Sequence, residues 1–228
     1  MSENGAHGST RPATARMNKV PATGRGRVPA VGGAGSVRII GGRWRGTRLQ
    51  VPHKPGLRPT ADRVRETLFN WLAPVLAGAR VLDLFAGSGA LGLEAVSRGA
   101  ASAQLVEADP QLVQALDAVA ARLGAAAQVR VHAGDALAWL RGCREPPFDI
   151  AFVDPPFDAG LWPAVLELLP QRLAADAWLY LECPAGHPPA LSAEWALHRE
   201  SATREVRYAL YRRVTLAPVL HAGNQATT

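Results

Sequence analysis

The 228-residue sequence predicts an α/β fold: a seven-stranded, mostly parallel sheet covered on both faces and closed by an antiparallel hairpin. Three observations predict it. From residue 79 onward, short and continuously apolar runs alternate with helical stretches, as in a sheet whose strands are buried on both sides. The first of those runs empties into a glycine-rich turn. The last two runs, 194–203 and 205–214, follow each other with no helical stretch between them and so pair as a hairpin.

Residues 1–36 are rich in Gly, Ala, Pro and Arg, with almost no large apolar side chain and no periodicity. Such a segment buries too little surface to offset the entropy of ordering it, so a disordered basic tail is expected. Residues 37–52, VRIIGGRWRGTRLQVP, predict two short strands around a Gly/Arg turn, with Trp44 as buried support for the pair rather than a base-stacking ring. RPTADRVRETLFNWLAPVL predicts a helix capped by Thr60. Its apolar stripe is Val64, Leu68, Trp71, Leu72 and Val75, with Arg63 and Arg65 flanking the stripe. Residues 37–77 thus form a small N-terminal hairpin-and-helix extension, 78–216 the main domain and 217–228 a second tail. In the main domain, strands are expected at ARVLDLFA, SAQLVEA, AQVRVHA, FDIAFVD and AWLYLEC. Helices are expected at 89–98, 110–123, 135–141 and roughly 158–173.

Composition narrows the function. With 48% hydrophobic and 19% charged residues the chain can build one sizeable core. Cys143 and Cys183 are far apart and in no metal-ligand or C-x-x-C spacing, which implies a reducing compartment without a structural disulfide. No apolar run has the length of a membrane span and the N-terminus lacks a secretion signal, so a soluble cytoplasmic protein is expected. Residues 1–60 hold eleven Lys/Arg against Glu3 alone, a charge of +10 within a total of +6. A positive front on a mildly acidic body suits a polyanionic partner gripped from one side; the alternative is a solvated tail that aids solubility.

LDLFAGSGALGLEA reads strand, tight turn, helix. Gly87, Gly89 and Gly92 satisfy G-x-G-x-x-G, and Glu107 lies twenty residues beyond the first of them. Such a loop lets the backbone approach a ligand, and an acid at the tip of the second strand can accept both ribose hydroxyls. The pattern fits NAD, FAD or S-adenosylmethionine. Asp83, just before the loop, would repel a pyrophosphate but can face the cationic amino group of a methionine moiety. Asp135, with Ala136 beside it, stands where it can accept from an adenine amino group, and it can equally cap the following helix. Asp109 is a lesser rival to Glu107 for the ribose and is expected instead to cap the helix that follows.

The fourth strand ends in FVDPPF, residues 152–157. Prolines donate no ladder hydrogen bonds, so the strand stops there. The tetrapeptide can simply end a strand, but an acid, a rigid backbone and an aromatic ring together suit methylation of a nucleobase amine, whose lone pair is delocalised into the ring. Two acceptors on its two N–H bonds favour a pyramidal nitrogen. Asp154 can supply one through its carboxylate, and Pro155 the other through a carbonyl whose direction the proline pair fixes in advance. Phe157 offers a face on which the base stacks. No metal is called for.

FAGSGALGLEA with FVDPPF resembles the amino-methyltransferases that carry an Asp/Asn/Ser-Pro-Pro-Tyr/Phe motif, and five βα steps plus a closing hairpin is the strand inventory of class I methyltransferases. RIIGGRWRG, GLRPTADRVRETLFNWL and FAGSGALGLEA together resemble the RsmD family, the bacterial 16S ribosomal RNA (guanine-N2)-methyltransferases, from about Val37 to Val214. The resemblance implies methyl transfer from S-adenosylmethionine to the exocyclic amine of one guanine, position 966 in standard ribosomal numbering. The implied substrate is 16S RNA within an assembling small subunit, and the enzyme is expected to be a monomer with no membrane partner. By position, Asp154, Pro155 and Phe157 match the family's catalytic tetrapeptide, and Asp83, Gly87, Gly89, Glu107 and Asp135 its cofactor positions. Arg58, Thr60, Arg63 and Arg65 become substrate-side candidates, joined by Arg43 and Arg45 of the hairpin turn. The longer, more basic tail departs from the family. A DNA adenine-N6 methyltransferase shares the chemistry but carries a target-reading region, for which the seventy-one residues after Phe157 leave little room. A glutamine-N5 methyltransferase would more often start its tetrapeptide with Asn and has no use for the basic front. A noncatalytic RNA-binding assembly factor leaves the intact Asp154–Phe157 set without a role, and an NAD oxidoreductase leaves it unexplained.

Overall fold

The structure, a computed structural model, describes residues 35–51, 61–156 and 159–215. The chain order is β1 (Gly35–Arg38), β2 (Arg48–Val51), α1 (Asp62–Leu76), β3 (Arg80–Asp83), α2 (Ala90–Ser97), β4 (Ser102–Glu107) and α3 (Pro110–Arg122). Then follow β5 (Val129–Ala133), α4 (Ala136–Gly142), β6 (Phe148–Val153), α5 (Trp162–Leu168) with a 3₁₀ turn at Leu169–Arg172, β7 (Leu173–Pro184), β8 (Trp195–Ala202) and β9 (Val206–Arg213). Both tails, Arg58, Thr60 and Phe157 lie outside the described residues. Among the described residues no helix is long and apolar enough to cross a membrane.

Strands β3 to β9 form one seven-stranded sheet in the order β5-β4-β3-β6-β7-β9-β8. Pairing is parallel from β5 across to β7 and antiparallel on both sides of β9. The last two strands do pair as expected, but the later one takes the inner place. The reason is legible in their burial: Tyr208–Tyr211 of β9 are all buried, whereas β8 is exposed along most of its length and carries His198, Arg199 and Glu200. A charged strand belongs at an edge, and an apolar one inside.

Side-chain alternation sorts the sheet into two faces. Val81, Leu105, Ile150, Phe152, Tyr180 and Leu210 point to the face covered by α1, α2 and α3. Leu82, Val106, Ala151, Val153, Leu179 and Leu181 point to the face covered by α4 and α5. The hairpin β1–β2 is no separate body, since Val37, Ile39 and Leu49 enter the first of these clusters. The fourth helical stretch is shorter than expected: α5 is followed by the 3₁₀ turn, and β7 already begins at Leu173.

Helix α1 corrects one reading. Its N-cap position is Ala61, and Thr60, the expected cap, lies outside the described residues. Val64, Leu68 and Leu72 are buried as expected, while Trp71 is only half-buried and stacks on Tyr208 at 5.7 Å and 26°. Arg65, expected beside the stripe, is wholly buried. Its Nη2 donates to the Arg38 carbonyl at 2.7 Å and to Asp62 Oδ1 at 2.6 Å, and its Nη1 lies 3.6 Å from Glu94 Oε2 on α2. A guanidinium there ties hairpin, α1 and α2 together and is not available to RNA. Arg65→Met should therefore lower stability by about 3 kcal/mol, the usual cost of breaking a buried pair, and leave RNA affinity of the folded protein unchanged. Denaturant unfolding beside an RNA-binding titration checks both halves.

Candidate active site

Open α/β sheets bind ligands at the carboxyl ends of their strands, where the strand order reverses. Here the chain goes from β3 to β4 and β5 on one side, then back past β3 to β6, so the reversal lies between β3 and β6. The glycine loop leaves β3 at that point. Gly89 occupies the left-handed region at φ 74° as the N-cap of α2, a conformation that a side chain would strain.

The acids converge on the same place. Asp83 ends β3, is buried, and accepts from the Gly92 amide at 2.9 Å through Oδ2. Glu107 ends β4; its Oε2 accepts from the Gly87 amide at 2.8 Å and its Oε1 from the Asp109 amide at 2.8 Å. Glu107 thus braces the glycine loop at the rim of the crevice. Asp154 follows β6, half-buried, with Pro155 buried behind it. Burial pushes the Asp83 carboxyl up to about 7, the Gly92 amide opposing the shift and the Glu107 charge adding to it. Burial likewise pushes Asp154 well above the usual carboxylate range, with the charges of Glu182 and Asp83 adding to the effect. Acids that resist ionisation because they are buried near one another suit a cationic ligand, whose positive charge favours the ionised form.

Asp135 caps α4, accepting from the Ala138 amide at 2.8 Å, and Ala136 is the first, buried residue of that helix. Asp109 caps α3 through the Gln111 and Leu112 amides at 2.8 and 3.2 Å. A groove of about 520 Å³ opens on the opposite face of the sheet, lined by Gln104, Arg130, His132, Trp139 and Arg144. It reaches Asp135 at one end but is not where Asp83, Glu107 and Asp154 meet.

The cationic candidates separate. Arg63 is exposed in the first turn of α1. Because α1 descends to deliver the chain to the start of β3, its first turn lies toward the crevice end of the sheet. Arg43 and Arg45 are exposed too, but at the wrong end. The Arg43 amide donates to the Ser97 carbonyl and the Trp44 amide to Ser97 Oγ, both at 2.9 Å, and Ser97 is the last residue of α2. Arg43 also reaches Gln128, just ahead of β5. The turn is clamped against the amino ends of the strands, and a Cβ on Gly42 (φ +73°) would fall 1.9 Å from the Ser97 carbonyl oxygen. Neither arginine faces the crevice; both remain exposed on the surface, away from the acids. Trp44 is half-buried, packs against the core and carries the Arg43 guanidinium at 4.2 Å, in keeping with a supporting role.

Two residues were missed in the sequence. Glu182 on β7 is buried next to Asp154, and the Tyr180 hydroxyl donates to its Oε2 at 3.0 Å. The available signal was the period of two along WLYLEC, which puts Trp178, Tyr180 and Glu182 on one face.

A parallel sheet in this order, with a reversed strand set between β7 and the edge and acids at the carboxyl ends of β3, β4 and β6, defines a Rossmann-like class I methyltransferase that uses S-adenosylmethionine. Residues 37–212 match the family model described as Conserved hypothetical protein 95, and the chain belongs to that family, the RsmD family. It is 50% identical over 188 residues to Ribosomal RNA small subunit methyltransferase D of Escherichia coli strain K12, covering 81% of this chain and 94% of that one. The protein of the same name from Haemophilus influenzae is 40% identical over 181 residues, 78% of this chain and 94% of its own. Among solved structures, the Putative methyltransferase yhhF from Escherichia coli superposes with a TM-score of 0.71 at 50% identity, covering 78% of this chain and 98% of that one.

Proposed function

We propose that the protein methylates the exocyclic N2 amine of one guanine in 16S ribosomal RNA, at position 966, within an assembling small subunit. The observation that carries this reading is the junction after β6: a carboxylate, Asp154, and a proline-fixed carbonyl, Pro155, beside the glycine loop and Asp83. The relatives named Ribosomal RNA small subunit methyltransferase D, matched over nearly their full length, supply the substrate class.

The residues divide the work. S-adenosylmethionine, when bound, supplies an electrophilic methyl on a sulfonium. Asp83 would hold the cofactor's ammonium group, Glu107 its ribose, and the Asp135–Ala136 turn its adenine, while the Gly87–Gly89 loop lets the backbone come close. Asp154 and the Pro155 carbonyl accept the two hydrogens of the amine and aim its lone pair, a preorganised electrostatic contribution. On becoming a secondary amine the nitrogen sheds one proton, and Asp154, already hydrogen-bonded to it, is the base within reach. The enzyme works in the cytoplasm as a monomer, on RNA already carrying protein.

Radiolabelled methyl transfer to small subunits from cells lacking the enzyme, followed by mass spectrometry of the digested nucleosides, tests the reading. N2-methylguanosine at a single site is expected; label in adenosine, or none, would refute it. Arg63 gives a test of the RNA face. Arg63→Glu should weaken particle binding about tenfold near 50 mM salt, shrink in effect as salt rises, and leave cofactor affinity alone. Binding isotherms at two salt concentrations check it, and an unchanged affinity removes α1 from the interface.

A further inference from the structure

Four adjacent strands end in acids on one face of the sheet. The β3–β6 register pairs Asp83 with Phe152, and the β6–β7 register pairs Phe152 with Tyr180 and Val153 with Leu181. Continued by one residue, that register sets Glu182 beside Asp154. Alternation gives both the face of Phe152 and Tyr180, which is also the face of α1 and α2. Glu107 and Asp83 lie on the β4–β3 side of Asp154, where the proposed cofactor contacts are, and Glu182 lies on the other side, over β7. The base must approach Asp154 from that side.

We propose that Glu182 reads the target base by accepting its N1–H while Asp154 and Pro155 hold the amine. The inference rests on the guanine-N2 reading above and adds its source of selectivity. Of the three bases with an exocyclic amine, guanine alone carries an N–H donor next to it. Adenine and cytosine present a ring-nitrogen lone pair there. With a cationic cofactor beside them favouring the ionised forms, two neighbouring carboxylates match guanine's adjacent donors and repel the other two bases. Tyr180 makes the acceptor rigid: its hydroxyl donates to Glu182 Oε2, and its ring is locked edge-on against Phe152 at 6.2 Å and 84°. The influence of the Glu182 charge on Asp154 places the two carboxylates within electrostatic reach of each other. A site built to accept a substrate N–H rejects an analogue that lacks it, because its buried acceptor is then left facing a lone pair.

Small subunits reconstituted with guanine or 2-aminopurine at the mapped position provide the test. 2-Aminopurine keeps the amine but has a lone pair at N1. The unaltered enzyme should prefer guanine by about 100-fold or more in kcat/KM. Glu182→Gln keeps an oxygen for the Tyr180 hydroxyl and offers an amide donor to N1. It should lose about tenfold or more on guanine, gain on 2-aminopurine, and so collapse the ratio. Cofactor affinity, measured by calorimetry, should stay within a fewfold and certifies the fold. If Glu182→Gln lowers both substrates in proportion, or changes neither, Glu182 does not read N1 and the inference fails. Failure of the underlying function is a separate result: the unaltered enzyme would then form no N2-methylguanosine at all.

Discussion

Asp154→Ala should cut methyl transfer by about 10²–10³-fold in kcat, the range seen when one preorganised transition-state hydrogen-bond partner is removed. Asp154 follows β6 beyond the last residue paired with β7, so trimming its side chain leaves the ladder intact. Cofactor affinity should stay within a fewfold, because the proposed cofactor contacts belong to β3, β4 and α4. Asp154→Asn separates two explanations of the loss. An amide oxygen still accepts one amine hydrogen but cannot take up the departing proton. If holding the amine is the larger effect, the Asn variant should recover most of the rate; if proton acceptance is, it should resemble Ala. Single-turnover rates with preformed enzyme–cofactor complex measure the step directly, and an undiminished rate in Asp154→Ala would remove this residue from the mechanism.

Much of this site was legible because its signals are local. Gly87, Gly89 and Glu107 are linked by a fixed spacing that the fold turns into one hydrogen bond, from the Gly87 amide to Glu107 Oε2. Asp109 and Asp135 cap the helices that follow them, which a short polar residue before a helical run already announces. Arg65 shows where such reasoning stops. Nothing within a few residues distinguishes it from exposed Arg63; what buries it is Glu94, twenty-nine positions away on α2, together with the Arg38 carbonyl. The location of Arg43 and Arg45 is hidden from the sequence for a related reason. Charge identifies a cationic turn, but only the contact of Arg43 and Trp44 with Ser97 says which end of the sheet the turn occupies. Glu182 was passed over because an acid inside an apolar strand has no motif of its own. Its meaning comes from the neighbouring strand: only the β6–β7 register, a property of the pair and not of either segment, sets it beside Asp154.

Asp83→Asn should make the ligand-free protein more stable and weaken its hold on the cofactor. The Asp83 carboxyl stands at about 7 in the folded chain against an ordinary 3.8, chiefly through burial. Folded protein therefore holds this proton more tightly than unfolded chain does, and stability declines as pH rises from about 4 to about 7, then levels off. The difference between 3.8 and about 7 corresponds to about 4 kcal/mol. Asparagine stays neutral throughout, and its carbonyl oxygen can still accept the Gly92 amide that Asp83 Oδ2 now holds. The variant should thus unfold at nearly the same temperature as the unaltered chain near pH 4 and at a higher one at pH 8. Binding runs the other way. A cationic group beside Asp83 favours the carboxylate, so cofactor uptake should release close to one proton below pH 7 and tighten as pH approaches 7. Asp83→Asn loses the charge-assisted bond, about 10- to 100-fold in affinity, and with it both the proton release and that pH dependence. Calorimetry in buffers of different ionisation enthalpy counts the proton. A variant that is stabilised at pH 8 but binds the cofactor as tightly as before would show Asp83 to be a strained structural acid and would move the ammonium contact elsewhere in the crevice.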